Sequence, residues 1–255
     1  MDMTFMDWVF KMLQSNWPMF LRGAQNTIFI SLIGTVVGLC IGILLGVVRT
    51  IPIEPTTHFV TKVILKIANF IITAYVEVFR GTPMMVQAMV IYYGTAMALG
   101  IKLNNIAAGL FIVSINTGAY MAEIVRGGII SIDKGQFEAA HAIGMNHWQT
   151  MRCVVLPQVV RNILPATGNE FVINIKDTSV LAVISVTELF FQTKSVAGNN
   201  FRYFEAFTIA CGMYFIMTFT ITRILRAIER HLDGPQNYDM MQSHTPDVKE
   251  VTPNA

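Results

Sequence analysis

Ionisable side chains interrupt a largely apolar segment between residues 164 and 186. Glu170, Asn174 and Asp177 are spaced to fall on one face of a helix, whereas Lys176 lies about 100° away from Asp177. A charged side chain inside a membrane helix costs about 2.5–3.5 kcal/mol on insertion scales, so its presence needs a physical reason. We expect this polar face either to line a cavity or to meet charges on another helix.

A second stretch has the features of a docking element. It reads Glu138-Ala-Ala-His-Ala-Ile-Gly144 and, after nine further residues, Val154-Val-Leu-Pro157. The pattern predicts a short helix over residues 136–142, a turn at Gly144 and a second helix that Pro157 stops. Such a compact pair of helices would present a rigid, amphipathic knob to a soluble partner. On spacing alone, an ordinary amphipathic loop is the alternative.

No other group of residues in the sequence predicts catalysis or metal binding. The phosphate-binding pattern G-x-x-x-x-G-K-[S/T] is absent, so we expect no ATP chemistry on this chain. The cysteines lie far apart without metal-ligand spacing, and His141 and His147 do not share a helical face. We therefore predict no catalytic residue, no cofactor and no metal. A net charge of +2 without a basic, aromatic-rich run also argues against nucleic-acid binding.

The composition indicates a membrane protein. Of the 255 residues, 53% are hydrophobic and 13% are charged, and the mean hydropathy is +0.53. A soluble domain usually carries about 25% charged residues, so this chain has too little polar surface to cover a water-soluble globule. The sequence therefore predicts an all-α integral membrane protein.

Five segments approach the roughly 20 apolar residues that a helix needs to cross a bilayer. They are residues 26–48, 83–99, 106–122, 164–186 and 204–221. A further apolar segment, residues 56–79, carries Lys62 and Lys66 on one helical face, which favours a helix lying in the membrane interface. We therefore predict five transmembrane helices and leave the segment 56–79 outside that count.

The basic residues predict the orientation of the chain in the membrane. Most lysines and arginines lie on one side, in residues 49–82, 126–161 and 223–255. The positive-inside rule assigns that side to the cytoplasm, so we expect the N-terminus outside and the C-terminus inside. Residues 1–25 would then form an extracytoplasmic segment, 26–232 the transmembrane domain and 233–255 a polar, disordered cytoplasmic tail.

The first predicted span carries a glycine at every fourth position, at residues 34, 38, 42 and 46. These glycines share one helical face and would let another helix approach closely. That neighbour is either a helix of the same chain or a helix of a second copy, and we favour packing within one chain.

The docking stretch resembles the EAA loop of the permease subunits of binding-protein-dependent ABC importers, which reads E-A-A, three residues, G, nine residues and I-x-L-P. Val154 stands where that family usually has isoleucine. Further motifs resemble the polar amino-acid branch of the family. They are Phe79-Arg-Gly-Thr-Pro83, Gly118-Ala-Tyr-Met-Ala-Glu-Ile-Val-Arg-Gly-Gly128, Lys134-Gly-Gln-Phe-Glu138, Gly168-Asn-Glu170 and Lys176-Asp-Thr-Ser179. The resemblance extends from about residue 26 to residue 232.

The resemblance implies a type I ABC importer permease fold in a prokaryotic plasma membrane, and the transport of a polar L-amino acid. A cytosolic ATPase that holds ATP and Mg²⁺ would dock on the loop. The docking residues carried over are Glu138, Ala139, Ala140, Gly144 and Pro157. A second permease copy or a paralogue, together with an extracytoplasmic amino-acid-binding protein, would complete the importer. The alternative function is a membrane scaffold or sensory subunit that docks an ATPase without moving solute.

The resemblance also implies a role for the polar positions near residue 170. In this branch, the Gly-Asn-Glu and Lys-Asp-Thr-Ser segments lie along the translocation path. Glu170 and Asp177 would then attract the ammonium group of the substrate. Lys176 would attract its carboxylate, with Asn174 on the same path. A structural ion pair or a gate at the contact between subunits is the alternative.

Overall fold

The computed structural model describes residues 4–53, 55 and 58–233, and every regular element in these residues is helical. The helices are α1 (Phe5–Arg49), α2 (Phe59–Gly81), α3 (Met84–Leu99), α4 (Asn105–Ile130), α5 (Lys134–Ala142), α6 (His147–Thr150), α7 (Leu156–Asp177), α8 (Leu189–Asn200) and α9 (Tyr203–Asp233). A π-helical turn, Met151–Val155, joins α6 to α7, and a 3-10 segment, Thr178–Ile184, follows α7. The predicted tail of residues 233–255 lies outside the described residues, apart from Asp233 at the end of α9.

Several helices are long and apolar enough to cross a membrane. Among the described residues these are α1, α2, α4 and α9. A fifth crossing results if the helical stretch His147–Ile184, which contains α7, is counted together with α8 beyond a bend of 55°. The predicted all-α membrane fold with about five spans is therefore confirmed.

The helices of span length differ at one place from the five predicted spans. The sequence predicts a span at residues 83–99, but α3 has 16 residues, about 24 Å, which is too short for about 30 Å of hydrocarbon. Pro83 precedes α3, and Gly100 ends it with φ of 67°, in the left-handed region. The sequence also predicts an interfacial helix at 56–79, yet α2 has 23 apolar-rich residues and the length of a span.

The two lysines of α2 do not exclude a crossing by this helix. Lys62 and Lys66 occupy the first turns of α2, close to one end of the helix. Long basic side chains near a helix end extend to the headgroup region while their stems stay in apolar surroundings. The two lysines are therefore compatible with a crossing helix. By length and composition, α2 rather than α3 belongs to the candidate spans, so the number of candidate crossings is unchanged.

α1 is much longer than a single membrane crossing. Its 45 residues extend over about 68 Å, more than twice the hydrocarbon thickness. The second half contains the first predicted span, residues 26–48. In the first half, Met12 and Phe20 are buried with residues of α8 and α9.

α1 and α4 pack side by side and run in the same direction. Gly34, Gly38, Gly42 and Gly46 contact Val113, Thr117, Met121 and Val125, in that order. A Cβ atom built on Gly46 would lie 2.7 Å from Val125 Cγ1, closer than real Cβ contacts. The glycine stripe therefore packs within one chain, as expected.

α7 runs in the opposite direction to α1 and α4. Gly128 near the end of α4 contacts Ile163 in the first half of α7. Thr117, in the middle of α4, contacts Asn174 near the end of α7. α9 is antiparallel to α7 and begins beside the start of α1, where the rings of Phe5 and Phe204 are 5.2 Å apart. The starts of α1 and α9 thus lie at one end of the bundle, and α5 and α6 lie at the other.

Candidate functional site

The segment between α4 and α7, residues 131–155, is called the docking loop below. Its first helix, α5, has Asp133 as its N-cap residue, whose Oδ1 accepts the N–H of Gly135 at 2.7 Å. Gly144 follows the helix with φ of 80° and donates its N–H to the carbonyl of His141 at 2.9 Å. Glycine adopts this left-handed conformation without steric cost, so it ends the helix here. The predicted helix over 136–142 and the predicted turn at Gly144 are confirmed.

The second helix of the docking loop does not stop at Pro157, so that prediction is wrong. Asn146 and Gln149 begin it with a reciprocal capping box, in which both hydrogen bonds are 2.9 Å long. The chain then remains helical through the π turn and α7 as far as Asp177. Pro157 lies at the start of α7, directly after the wider π turn. The π turn changes the backbone register there, so the proline is accommodated without ending the helix.

The predicted docking residues differ in exposure. Glu138, Ala139, Gly144 and Pro157 are exposed, and Ala140 is buried. Ala140 is only 3% exposed because it packs against its own chain. In this conformation its methyl group cannot enter a cleft on another protein.

Two apolar side chains at the tip of the docking loop were missed by the sequence analysis. Ile143 is 74% exposed and Trp148 is 63% exposed, one on each side of Gly144. Both lie outside the predicted spans, where exposure to lipid cannot explain an apolar surface. Large apolar residues flanking a turn in a polar loop were the signal that could have identified them.

The base of the docking loop is packed firmly against the bundle. Ile132, Met151 and Val155 are buried in one cluster with residues of α4 and α7. His147 is partly buried at this base. Burial and, second, the charge of His141 lower the pKa of His147 below its ordinary value of about 6.5.

Asn174 lies at the centre of the bundle, where α7 meets both α1 and α4. Its Nδ2 donates to Thr35 Oγ1 at 2.9 Å and to Thr117 Oγ1 at 3.0 Å. The hydroxyl of Thr117 donates to Asn174 Oδ1 at 3.2 Å. Asn174 is 4% exposed, and both of its N–H donors have partners. The amide therefore joins three helices and is not open to a small molecule in this conformation.

Lys176 lies on a different side of α7 and faces α9. It lines a groove of about 330 Å³ together with Arg223 and Arg226, and Thr218 and Thr222 contribute hydroxyl groups. Within the described part of the chain, no carboxylate forms an ion pair with any of these three cations. Such a groove is suited to a carboxylate or another anionic group. It is called the basic groove below.

Glu170 and Asp177 do not line the basic groove. Glu170 is partly buried and Asp177 is exposed. The charges that act on Glu170 are those of Asp177 on the same helix and Arg80 on α2. The four polar positions predicted as one set are therefore separated in space. Asn174 lies in the centre, Lys176 faces α9, and Glu170 is within the influence of α2.

A larger polar cavity of about 630 Å³ lies between α2 and α4. Its lining includes Arg80 and Glu77 of α2 and Tyr120 and Glu123 of α4. The guanidinium carbon of Arg80 lies 5.4 Å from the centroid of the Tyr120 ring. Arg80, Tyr120 and Glu123 lie in two of the quoted motifs and Glu77 lies outside them, and no sequence pattern indicated that the four residues meet in one cavity. A cavity with both signs of charge can accommodate a zwitterion.

An ion-pair network separates this cavity from the docking loop. Arg49 at the end of α1 forms an ion pair with Glu123 of α4. Arg126 donates to the other carboxylate oxygen of Glu123, with Nε at 3.0 Å and Nη2 at 2.9 Å. A single carboxylate shared by two arginines links the end of α1 to α4 more strongly than an isolated surface pair would.

The sequence matches the family described as binding-protein-dependent transport system inner membrane component over residues 38–234. The glutamine transport system permease protein GlnP of Escherichia coli (strain K12) is 39% identical over 216 residues, covering 84% of this chain and 93% of the relative. The arginine transport system permease protein ArtQ of Bacillus subtilis (strain 168) is 33% identical over 215 residues, again covering 84% and 93%.

Two solved structures are also similar to this chain. A chain of the crystal structure of an amino acid ABC transporter with histidines superposes with a TM-score of 0.76 at 34% identity, covering 91% of this chain and 100% of that chain. The methionine ABC transporter MetNI in an inward-facing conformation has a TM-score of 0.64 at 19% identity, covering 83% and 97%. At that identity, the second similarity concerns the fold alone.

Proposed function

Because the chain belongs to the binding-protein-dependent transport system inner membrane component family, we propose that it couples the entry of a polar amino acid to an ATPase docked on residues 131–155. The type I ABC importer permease fold and the role of an amino-acid transport permease are confirmed by the relatives. Such a permease is a transport subunit and not itself an enzyme. The relatives do not favour the alternative of a scaffold that moves no solute.

The exposed tip of the docking loop is the observation that carries the docking proposal. Exposed apolar residues on α2 and α9 are explained by contact with lipid, but Ile143 and Trp148 lie beyond the end of α4. Burial of a tryptophan and an isoleucine against a protein surface would stabilise a complex strongly, since aromatic anchors dominate many interfaces. The ATPase would hold the ATP and Mg²⁺, and Glu138 and Ala139 would border the contact.

The continuous helix from α6 to α7 gives the docking loop a mechanical role in the proposal. Movement of Trp148 by the ATPase would be transmitted through the π turn into α7, which carries Asn174 and Lys176. The buried base around Met151 keeps the loop from moving independently of the bundle. Docking and translocation would thus share one rigid element.

The polar residues of α7 would have separate roles along the translocation path. Lys176 in the basic groove would receive the substrate carboxylate at one point of the path, and Glu170 and Asp177, which do not line the groove, would attract its ammonium group at another. Asn174 would hold α7 against α1 and α4 rather than contact the substrate. Glutamine is the first amino acid to test, because the relative with 39% identity is named as a glutamine transport permease.

The proposed orientation places the N-terminus outside the cell and the docking loop in the cytoplasm. The parallel course of α1, α4 and α9 and the opposite course of α7 are compatible with it. Arg49, Arg126 and Arg230 then lie near the cytoplasmic end, as the positive-inside rule expects. A second permease copy or a paralogue and an extracytoplasmic binding protein would complete the importer.

The docking proposal is tested by replacing the apolar tip with charge. Ile143→Asp and Trp148→Asp should each abolish copurification with the cognate ATPase and amino-acid-stimulated ATP hydrolysis in vesicles. Ile101→Asp is the matched control, because Ile101 is 51% exposed but precedes α4, at the end of the bundle away from the docking loop. Full ATPase binding by both tip variants would contradict the proposal. Loss of binding in the control as well would indicate a general assembly defect.

A further inference from the structure

A separate cavity of about 350 Å³ lies at the base of the docking loop, between that loop and the ends of α1 and α4. Its cationic lining consists of Arg49, Arg126 and Lys134. Its apolar lining includes Ile130, Phe137 and Met151. The cavity is distinct from the basic groove and from the exposed tip at Ile143 and Trp148, although part of its lining belongs to the docking loop.

The charges around this cavity leave an excess of positive charge. Glu123 pairs with both Arg49 and Arg126, so one carboxylate offsets two guanidinium groups. Lys134 forms no ion pair with any residue that the structure describes. Asp133 is adjacent in sequence, but its Oδ1 accepts the N–H of Gly135 at 2.7 Å. An anion entering the cavity would therefore find two or more donors whose charge is incompletely matched.

The position of the cavity relative to the apolar segments indicates the chemical class of its ligand. Arg49 follows the first apolar span directly, and Arg126 follows the apolar part of α4. The cavity therefore lies where the hydrocarbon region ends. Ile130 on its rim is 63% exposed, so an apolar surface continues outward from the cations. A ligand that matches both features carries an anionic group joined to an apolar chain.

We propose that this cavity binds an anionic phospholipid, with the headgroup phosphate held by Arg126 and Lys134 and the upper acyl chain lying against Ile130. Basic pockets between membrane helices on the cytoplasmic side are suited to such headgroups. His147 also lines the cavity and adds a ring nitrogen beside the cations. A bound lipid would brace the docking loop against α4 independently of whether an ATPase is docked.

The experiment is a titration of the full chain, purified and delipidated in mild detergent, and followed by native mass spectrometry. The probes are phosphatidylglycerol, phosphatidylcholine and inorganic phosphate. Phosphatidylglycerol should bind more tightly than phosphatidylcholine, and Lys134→Gln should weaken it about fivefold, the effect of one basic residue near an anionic lipid. Lys102→Gln, at an exposed loop position at the other end of α4, should leave binding unchanged.

Other results would overturn the proposal. Equal binding of the two lipids, or equal behaviour of Lys134→Gln and Lys102→Gln, would exclude a headgroup site. Phosphate that competes as well as phosphatidylglycerol would indicate a free-anion site instead. Ile130→Ser further distinguishes a lipid headgroup from free phosphate, because the substitution should weaken lipid binding and leave phosphate binding unaffected. Complete displacement of lipid by the added ATPase subunit would assign the surface to that protein.

Discussion

On the side of α7 that faces α1 and α4, Asn174 is buried, and Thr35 and Thr117 accept hydrogen bonds from its amide. On the side that faces α9, Lys176 lies in the basic groove with two arginines, and no described carboxylate pairs with these cations. The two sides lie within one turn of the same helix. Polar residues in a membrane helix can therefore either bond to neighbouring helices or remain available to bind a ligand. Their hydrogen-bond partners distinguish the two cases better than their sequence positions do.

The largest expected effect concerns the side of α7 that faces α1 and α4. In Gly38→Val the new Cβ would lie 2.8 Å from Thr117 Cβ and push Thr117 away from Asn174. We expect a loss of about 2–3 kcal/mol in the free energy of unfolding, as for overpacked cores. Thermal unfolding in detergent measures the change. Gly127→Val is the control, because no atom lies within 4 Å of a Cβ built there, apart from its chain neighbours and the nearby backbone of its own helix. Equal stability of the two variants would show that the α1–α4 contact is loose.

The next largest effect concerns the side of α7 that faces α9 and carries Lys176. Lys176→Gln should lower the initial rate of amino-acid uptake at least tenfold, about 1.4 kcal/mol, because a charged partner for the substrate carboxylate is lost. The unfolding temperature should stay the same. Uptake into vesicles that contain the complete importer measures the rate, and Lys194→Gln, exposed on α8, is the control. Normal uptake with a lowered unfolding temperature would mean that the basic groove is structural.

An effect of similar or smaller size is expected from Asn174→Leu. Hydrogen bonds between membrane helices contribute about 0.6 kcal/mol each on average, so losing those of Asn174 should cost about 1–2 kcal/mol of stability. A double-mutant cycle with Thr117→Val tests whether the loss comes from these bonds. If the two substitutions are additive, Asn174 and Thr117 do not act as a pair, and the contrast between the two sides of α7 is weakened.

The smallest effect extends the comparison to the docking loop, where His147 is partly buried and His141 is exposed. The pKa of His147 is lowered in the folded chain, so the folded state binds fewer protons than the unfolded state. Stability from this site is therefore present above about pH 6.5 and is lost as the pH falls below that value. Unfolding temperatures between pH 7.5 and 5.5 should show this decline in the wild type. His147→Gln should flatten the profile, whereas His141→Gln should retain most of it.

The docking loop shows how much local sequence could predict. The short helix and the turn at Gly144 follow from residue types that act within a few positions, and both are present. The stop at Pro157 was wrong because the π turn before it changes the backbone register, and no residue pattern announces such a turn. The burial of Ala140 depends on how the loop folds back on its own chain, which spacing alone does not reveal.

The spans and the polar positions show where sequence reasoning reached its limit. Residue counts identified five crossings, but charge on α2 was given more weight than length, and α3 was accepted although it is short. Helical spacing correctly separated Lys176 from Asn174 around α7. Helical spacing could not show that Thr35 and Thr117 accept hydrogen bonds from the side-chain amide of Asn174, because those two residues lie on helices distant in sequence.

The unbroken helix between the docking loop and Asp177 has a geometric consequence. α7 has 22 residues and is therefore about 33 Å long. With the π turn as a pivot, and with α1 and α4 moving together with α7 through the hydrogen bonds of Asn174, a tilt of about 10° would shift the far end of α7 by about 6 Å, a distance comparable to the length of an amino acid. Because Lys176 lies at that far end, a small rotation imposed at the base is converted into a large displacement at the substrate position. The helix therefore has the geometry of a lever with a short driven arm and a long working arm.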